Sequence, residues 1–315
     1  MALHTRFKRK LITSAPARVV IQGSKKAVIP GFGGYSIFDV WQPFVHQLRN
    51  SNLIERASAI SFNVFMAIPP LLIFVFTLIP YLPISSRLVN ELFDLIRTII
   101  PGKQNNTVII DFLNDFLSRP RNELLSFGLL LAIFFSSNAM MGVLRSFDKK
   151  EEGFIKRRGV EKRSTALQLT LIVLVLVFIC LLLLIAQGEV LHWIGIRNYW
   201  IRMLIVNIRW IIIFLLVLYS VSFIYRNGPA LEVKWPFITP GSVFATFLMF
   251  LATFLVSIYV NNFSMFNKVY GSISAIFILM SLIFVNSLVI LAGFELNVTI
   301  TSLKRKQIAM KSKAE

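Results

Sequence analysis

Residues 167–186, LQLTLIVLVLVFICLLLLIA, run for 20 positions without one charged side chain. A helix needs that length and character to cross a ~30 Å hydrocarbon core. The stretch is also too uniformly apolar for the one-sided helix of a soluble domain. Comparable windows fall at 57–82, 124–144, 203–225, 240–260 and 273–297, which predicts an all-α, polytopic membrane protein with six transmembrane helices. The whole chain agrees, with 56% hydrophobic residues and a mean hydropathy of +0.71. Three regions follow: a basic tail at 1–35, a six-helix membrane domain at 36–303 and a second basic tail at 304–315.

A net charge of +18 invites a nucleic-acid partner, so the placement of the basic residues decides. Of 33 Lys and Arg, 24 fall before the first span, in the 2–3 and 4–5 loops and after the last span. The remaining nine lie in the 1–2, 3–4 and 5–6 connections. This split is the positive-inside pattern, and it puts both termini in the cytoplasm. The expected partners are membrane lipids, with no nucleic acid.

Cys180 is the only cysteine and sits inside the third span, which excludes a disulfide within the chain. His4, His46 and His192 are scattered over both predicted sides, which argues against a histidine metal site, and no cofactor is expected. The first 50 residues show no apolar core of a cleavable signal, so the first span is expected to direct insertion.

Outside the spans, Phe38, Trp41, Val45 and Leu48 recur at three- to four-residue spacing. They predict an amphipathic helix on the cytoplasmic surface, with Trp41 at headgroup level. The 1–2 loop, 83–123, carries two further helical patterns around Pro101-Gly102 and predicts an extracytoplasmic helical hairpin. Such a hairpin would either cap the outer helix ends or dock an envelope protein. The second span (Ser136, Ser137, Asn138, Gly142) and the fifth (Gly241, Ala245, Thr246, Ala252, Thr253, Ser257) carry small and polar residues, which predicts them to be the bundle interior.

The segment YVNNFSMFNKVYGSISAIFILMSLIFVNSLVILAGFELNVTI, 259–300, resembles the closing part of the YihY/BrkB family of bacterial inner-membrane proteins. Tyr259, Phe263, Tyr270, Gly271, Ser272, Gly293, Glu295, Leu296 and Asn297 fall on its pattern, with Phe266 where a tyrosine is usual. Ala57, Ala59, Phe62 and Pro70 are similar to the family's first-span motif, and Pro69 is an addition. Arg145 takes the basic position after the second span, with Asp148 where asparagine is more usual, and Tyr225, Arg226 and Pro229 resemble its Y-R-x-x-P. The resemblance implies a six-helix protein of the bacterial cytoplasmic membrane with cytoplasmic termini. The family has carried ribonuclease, virulence and transporter labels.

No metal-binding His/Asp cluster and no G-x-x-x-x-G-K-[ST] phosphate loop is visible, so no enzyme activity is expected. Polar groups at membrane depth are the stronger lead. Glu295 lies ~33 Å along the sixth helix from Ile273, near the cytoplasmic interface. There it either pairs with Arg56, Arg145 or Arg226, or couples to a proton or cation. Asn297 reads as a helix-end cap, and Asn63, Asn138, Asn207 and Asn286 as interhelical hydrogen-bond formers or substrate contacts. Gly271 permits a turn before the last span, and Tyr270 is an interfacial ring or a gate. Pro69 and Pro70 remove two helical hydrogen bonds, which produces either a packing kink or a break lining a cavity with Asn63, Asn138, Thr246 and Thr253. Two functions follow: a transporter-like protein that moves or flips an amphiphilic substrate without its own ATPase, or an envelope scaffold acting through 83–123.

Overall fold

The computed structural model describes residues 31–32, 34–78, 122–149, 151–185, 199–262 and 273–312. The predicted hairpin at 83–123 (apart from its last two residues), Tyr270 and Gly271 lie outside them. The described residues form seven helices: α1 (Ile37–Asn50), α2 (Leu53–Leu78), α3 (Asn122–Phe147), α4 (Gly159–Ile185), α5 (Tyr199–Asn227), α6 (Pro240–Asn262) and α7 (Ile273–Lys311). Six of them, α2 to α7, are long and apolar enough to span a membrane. They are the six helices that hydropathy predicts.

Each spanning helix packs on its neighbours in sequence, and α7 closes back onto α2, so the six form a ring. Both ends of the described chain and the two short connections, 148–158 and 228–239, meet at one end, the basic end. There Ile155 N donates to Ala230 O at 2.8 Å and Glu232 N to Gly153 O at 3.1 Å, tying the connections together.

Local sequence explains how the basic end is built. Ser36 caps α1 by accepting from Asp39 N at 3.2 Å. Asn52, left-handed at φ 46°, turns the chain into α2 within two residues. Thr239 caps α6 by accepting from Ser242 N at 3.1 Å, with Pro240 at the first helical position, where a missing N–H costs nothing.

The amphipathic helix α1 uses a different face from the one the spacing predicts. Val40 and Phe44 are buried, with Ile37 and Leu48 beside them, against Leu296 and Ile300 of α7 and Phe244 of α6. Trp41 stays 56% exposed. The apolar arc is wide enough to serve both sides: one stripe is taken by protein, and the stripe with Trp41 is left for the membrane interface.

Three further expectations change. First, α2 is continuous through both prolines, with Pro70 buried and Pro69 exposed. No cavity-lining break exists, because neighbouring turns and packing carry a membrane helix past proline. Second, α7 does not end near Asn297 but continues to Lys311, so the basic tail at 304–311 is helical. Lys, Arg, Gln, Ala and Met are strong helix formers, and the charges simply leave the membrane on the same helix. Third, α6 buries Gly241, Ser242, Ala245 and Thr246 only, while Thr253 and Ser257 are exposed. The interior helix at the basic end is α7, where 293–300 are buried on every face.

Candidate functional site

Gly241 and Gly293 set a close backbone approach between α6 and α7. A Cβ on Gly293 would sit 2.6 Å from Gly241 O, 2.6 Å from Tyr225 Oη and 2.7 Å from Ala245 Cβ. One on Gly241 would collide with the Gly293 carbonyl. Gly241 and Ala245, four apart, form the small-x-x-x-small face that lets α6 approach α7.

This approach brings Asn297 under the start of α6. Its Oδ1 accepts from Gly241 N at 2.9 Å, and its Nδ2 donates to Thr239 Oγ1 at 2.9 Å. Asn297 is therefore a cap, but of α6 rather than of its own helix. Asn297→Leu strands a buried N–H and should cost about 1–2 kcal/mol in thermal unfolding of the detergent-solubilised protein. No loss would remove the capping role.

Around Gly293 an aromatic plug fills the ring. Phe147 of α3 stacks on Phe294 of α7 at 4.3 Å and meets Tyr225 of α5 edge-on at 5.8 Å. Trp235 approaches Phe294 at 5.8 Å, and its Nε1 donates to Thr301 Oγ1 at 3.0 Å. Tyr225 is fully buried, and its hydroxyl donates to Ile290 O at 2.5 Å. Buried rings with their polar atoms satisfied make a rigid, dry closure.

Beside the plug lies Glu295, 0% exposed. Arg56 Nη1 is 2.7 Å and Lys149 Nζ 2.8 Å from its Oε1. Gln47 Nε2 stands 3.4 Å from Oε2 and donates at 3.0 Å to Glu151. Arg56 also donates to Ser51 O at 2.9 Å and to the carbonyl of Ser146. One carboxylate thus ties together α1, the start of α2, the end of α3 and α7. Its charge is offset by two cations, and the remaining donors of Arg56 reach backbone carbonyls.

Two cavities flank this cluster. One, about 730 Å³, is lined by His46, Gln47, Glu151, Thr301 and Arg305 among others. The other, about 370 Å³, includes Arg56, Arg145, Asp148 and Lys149. Gln47 borders one cavity and Arg56 and Lys149 the other, so the ion cluster is the partition between them.

Away from the basic end, Leu251, Thr253, Phe254, Leu255, Ser257, Ile258 and Tyr259 of α6 are exposed, with Ala252 and Val256 half-buried between them, and so are Ile276, Phe277, Leu279, Met280 and Ser281 on α7. Among the described residues, burial is therefore concentrated at the basic end.

The family model for virulence factor BrkB matches residues 44–315. The chain belongs to the BrkB virulence factor family. A relative from Bacillus subtilis (strain 168), called a ribonuclease-like protein, YfkH, is 26% identical over 258 residues, 81% of this chain and 91% of its own. No solved structure matches the chain. Among the described residues, no three or more His, Cys, Asp or Glu side chains gather where they could hold a metal ion.

Of the basic residues expected near Glu295 in this BrkB protein, Arg56 is the partner, whereas Arg145 and Arg226 are exposed. Each stands at a helix end, but only Arg56 points into the contact with α7. Lys149 and Gln47 escape sequence reading because a loop and a surface helix bring them there.

The residues expected to line a midplane cavity do not gather. Asn63 donates to Ala59 O of its own helix at 2.7 Å, and Thr246 to Ser242 O at 2.8 Å, while Pro69 and Thr253 are exposed. In-helix carbonyls four residues back are the nearest acceptors for such side chains, and Asn286 uses Leu282 O in the same way. Asn138 does bond across helices, accepting from Arg163 Nη1 at 2.7 Å. Asn207 is exposed.

Proposed function

We propose that this chain is a transporter-like protein of the bacterial cytoplasmic membrane, with cytoplasmic termini, that moves or flips a lipidic or amphiphilic substrate without ATPase activity of its own and without enzymatic chemistry. One observation supports the reading: α7 is buried on every face at 293–300 and exposed at 276, 277 and 279–281. Tight packing at one end and exposed side chains toward the other fit one state of an alternating-access cycle. The exposed side chains of that half are apolar or carry hydroxyls, which suits an acyl chain better than a small ion.

The ion cluster is the closing element in this account. Opening the basic end requires α7 to part from α1 and α2, which separates Glu295 from Arg56 and Lys149. Two packings of one bundle, biased by a few kcal/mol, are all that such a cycle needs. The name of the Bacillus relative describes that protein, and the reading proposed here needs no phosphodiester chemistry.

The test is reconstitution into liposomes, following fluorescent lipids and small solutes. The wild type should move at least one lipid probe faster than protein-free vesicles do. Removing the lock charges without orphaning one, by Arg56→Gln, Lys149→Gln and Glu295→Gln together, should raise that rate several-fold. Rates equal to protein-free vesicles across the whole panel would remove the transport function.

A further inference from the structure

A separate cavity of about 280 Å³ opens on the seam between α4 and α5 and shares no residue with the Glu295 cluster. Its polar side is formed by Arg157, Thr165, Gln168, Asn227 and Lys234, and no carboxylate lines it. Its apolar side is formed by Leu169, Ile172 and Phe223, all within the membrane-spanning stretches Gly159–Cys180 and Trp210–Asn227. We propose that this cavity binds the phosphodiester headgroup of an anionic phospholipid, with the acyl chains lying along the α4–α5 groove.

The charge argument comes first. Arg157 is held in place by three backbone carbonyls at the end of α5, those of Gly228 (2.8 Å), Asn227 (3.1 Å) and Pro229 (3.3 Å). These partners orient the guanidinium without neutralising it. Lys234 is exposed and reaches only the Asn227 amide oxygen, at 3.5 Å. The nearest acids in sequence are Glu232, two residues before Lys234, and Glu161, four after Arg157; neither lines the cavity, and Glu161 uses its carboxylate on the Arg158 backbone N–H at 3.3 Å. Two cations, with the Gln168 amide beside them, therefore face an opening that holds no counter-charge. A phosphate supplies one and accepts from both cations, and charge-assisted contacts of this kind are the stronger ones.

Position then selects the source of the phosphate. The cations stand where the spans leave the membrane, and the apolar wall runs from them into the hydrocarbon. Basic pockets between helices at this depth hold anionic headgroups. A free phosphate has no use for the Ile172 and Phe223 wall, whereas a lipid fills both halves. The site requires only that the chain lie in a membrane and does not depend on the transport proposed above.

Native mass spectrometry of the full-length protein in detergent tests it, with dioctanoyl phosphatidylglycerol and dioctanoyl phosphatidylcholine as probes. Phosphatidylglycerol should bind at least about five-fold more tightly than phosphatidylcholine, and Lys234→Gln should weaken it about five-fold. Lys234 is on the surface, so the variant folds. Glycerol 3-phosphate at the same concentration should not displace the lipid. Equal binding of the two lipids, or an unchanged Lys234→Gln, would overturn the site. Displacement by glycerol 3-phosphate would overturn the lipid as its occupant.

Discussion

Glu295→Ala should lose about 3–5 kcal/mol of stability, the usual cost of removing one partner from a buried ion pair. Glu295 is 0% exposed, and the side chains of Arg56 and Lys149 are only 19% and 13% exposed. Without the carboxylate, two cations lie side by side with little water to screen them, and the repulsion adds to the lost attraction. Replacing the whole cluster by apolar residues (Arg56→Met, Lys149→Met, Glu295→Leu) should recover most of the loss, because the desolvation cost of all three charges disappears as well. Chemical unfolding in detergent reads both variants. A Glu295→Ala protein within about 1 kcal/mol of wild type would show that water reaches the cluster freely, and the basic end would not then be sealed.

Gly293→Ala is expected to be of similar severity, about 3 kcal/mol or more, although it adds a single methyl group. The new Cβ would meet Gly241 O and Tyr225 Oη at 2.6 Å and Ala245 Cβ at 2.7 Å. None of these is the free end of a flexible chain: one is backbone, one is a buried tyrosine tied to Ile290, and one is a Cβ. Relief requires α6 to move off α7, which also pulls Gly241 N from Asn297. Gly159→Ala is the control, since nothing lies within 4 Å of its Cβ. That change should be neutral or stabilising by up to about 1 kcal/mol. Comparable thermal shifts for the two variants would contradict the close α6–α7 contact.

Much of this arrangement is legible in the amino-acid sequence. Long apolar runs define spans because a membrane helix must bury every side chain in hydrocarbon or protein, and the basic loops mark one end. Glu295 stands out for the same reason: a carboxylate close to an apolar run requires a partner. Which partner is less accessible, because Arg56, Arg145 and Arg226 all end helices, and only the rotation of α2 about its axis selects Arg56. Lys149 sits in a charged turn that reads as solvated, and Gln47 on a helix that reads as membrane-surface. Asn297 reads as a terminal cap because the KRKQ run after it looks like the end of the helix, while the structure carries α7 past it. The proline pair alone leaves a packing kink and a cavity-lining break open. The helix runs on through both, since the cost at two positions is small beside the burial of a whole span against α3 and α7.

The central claim of the transport proposal is that the helix ring, closed at the basic end, opens toward the other. A cysteine scan through 251–259 of α6, in a Cys180→Ser background, tests it in sealed vesicles of known orientation with a membrane-impermeant maleimide. The account predicts labelling from the side opposite the basic end, at positions recurring every three to four residues along the face that looks into the opening. Ala245→Cys and Thr246→Cys, inside the seal, should label from neither side. No labelled position anywhere in 251–259, or labelling of Thr246→Cys from the basic side, would contradict it.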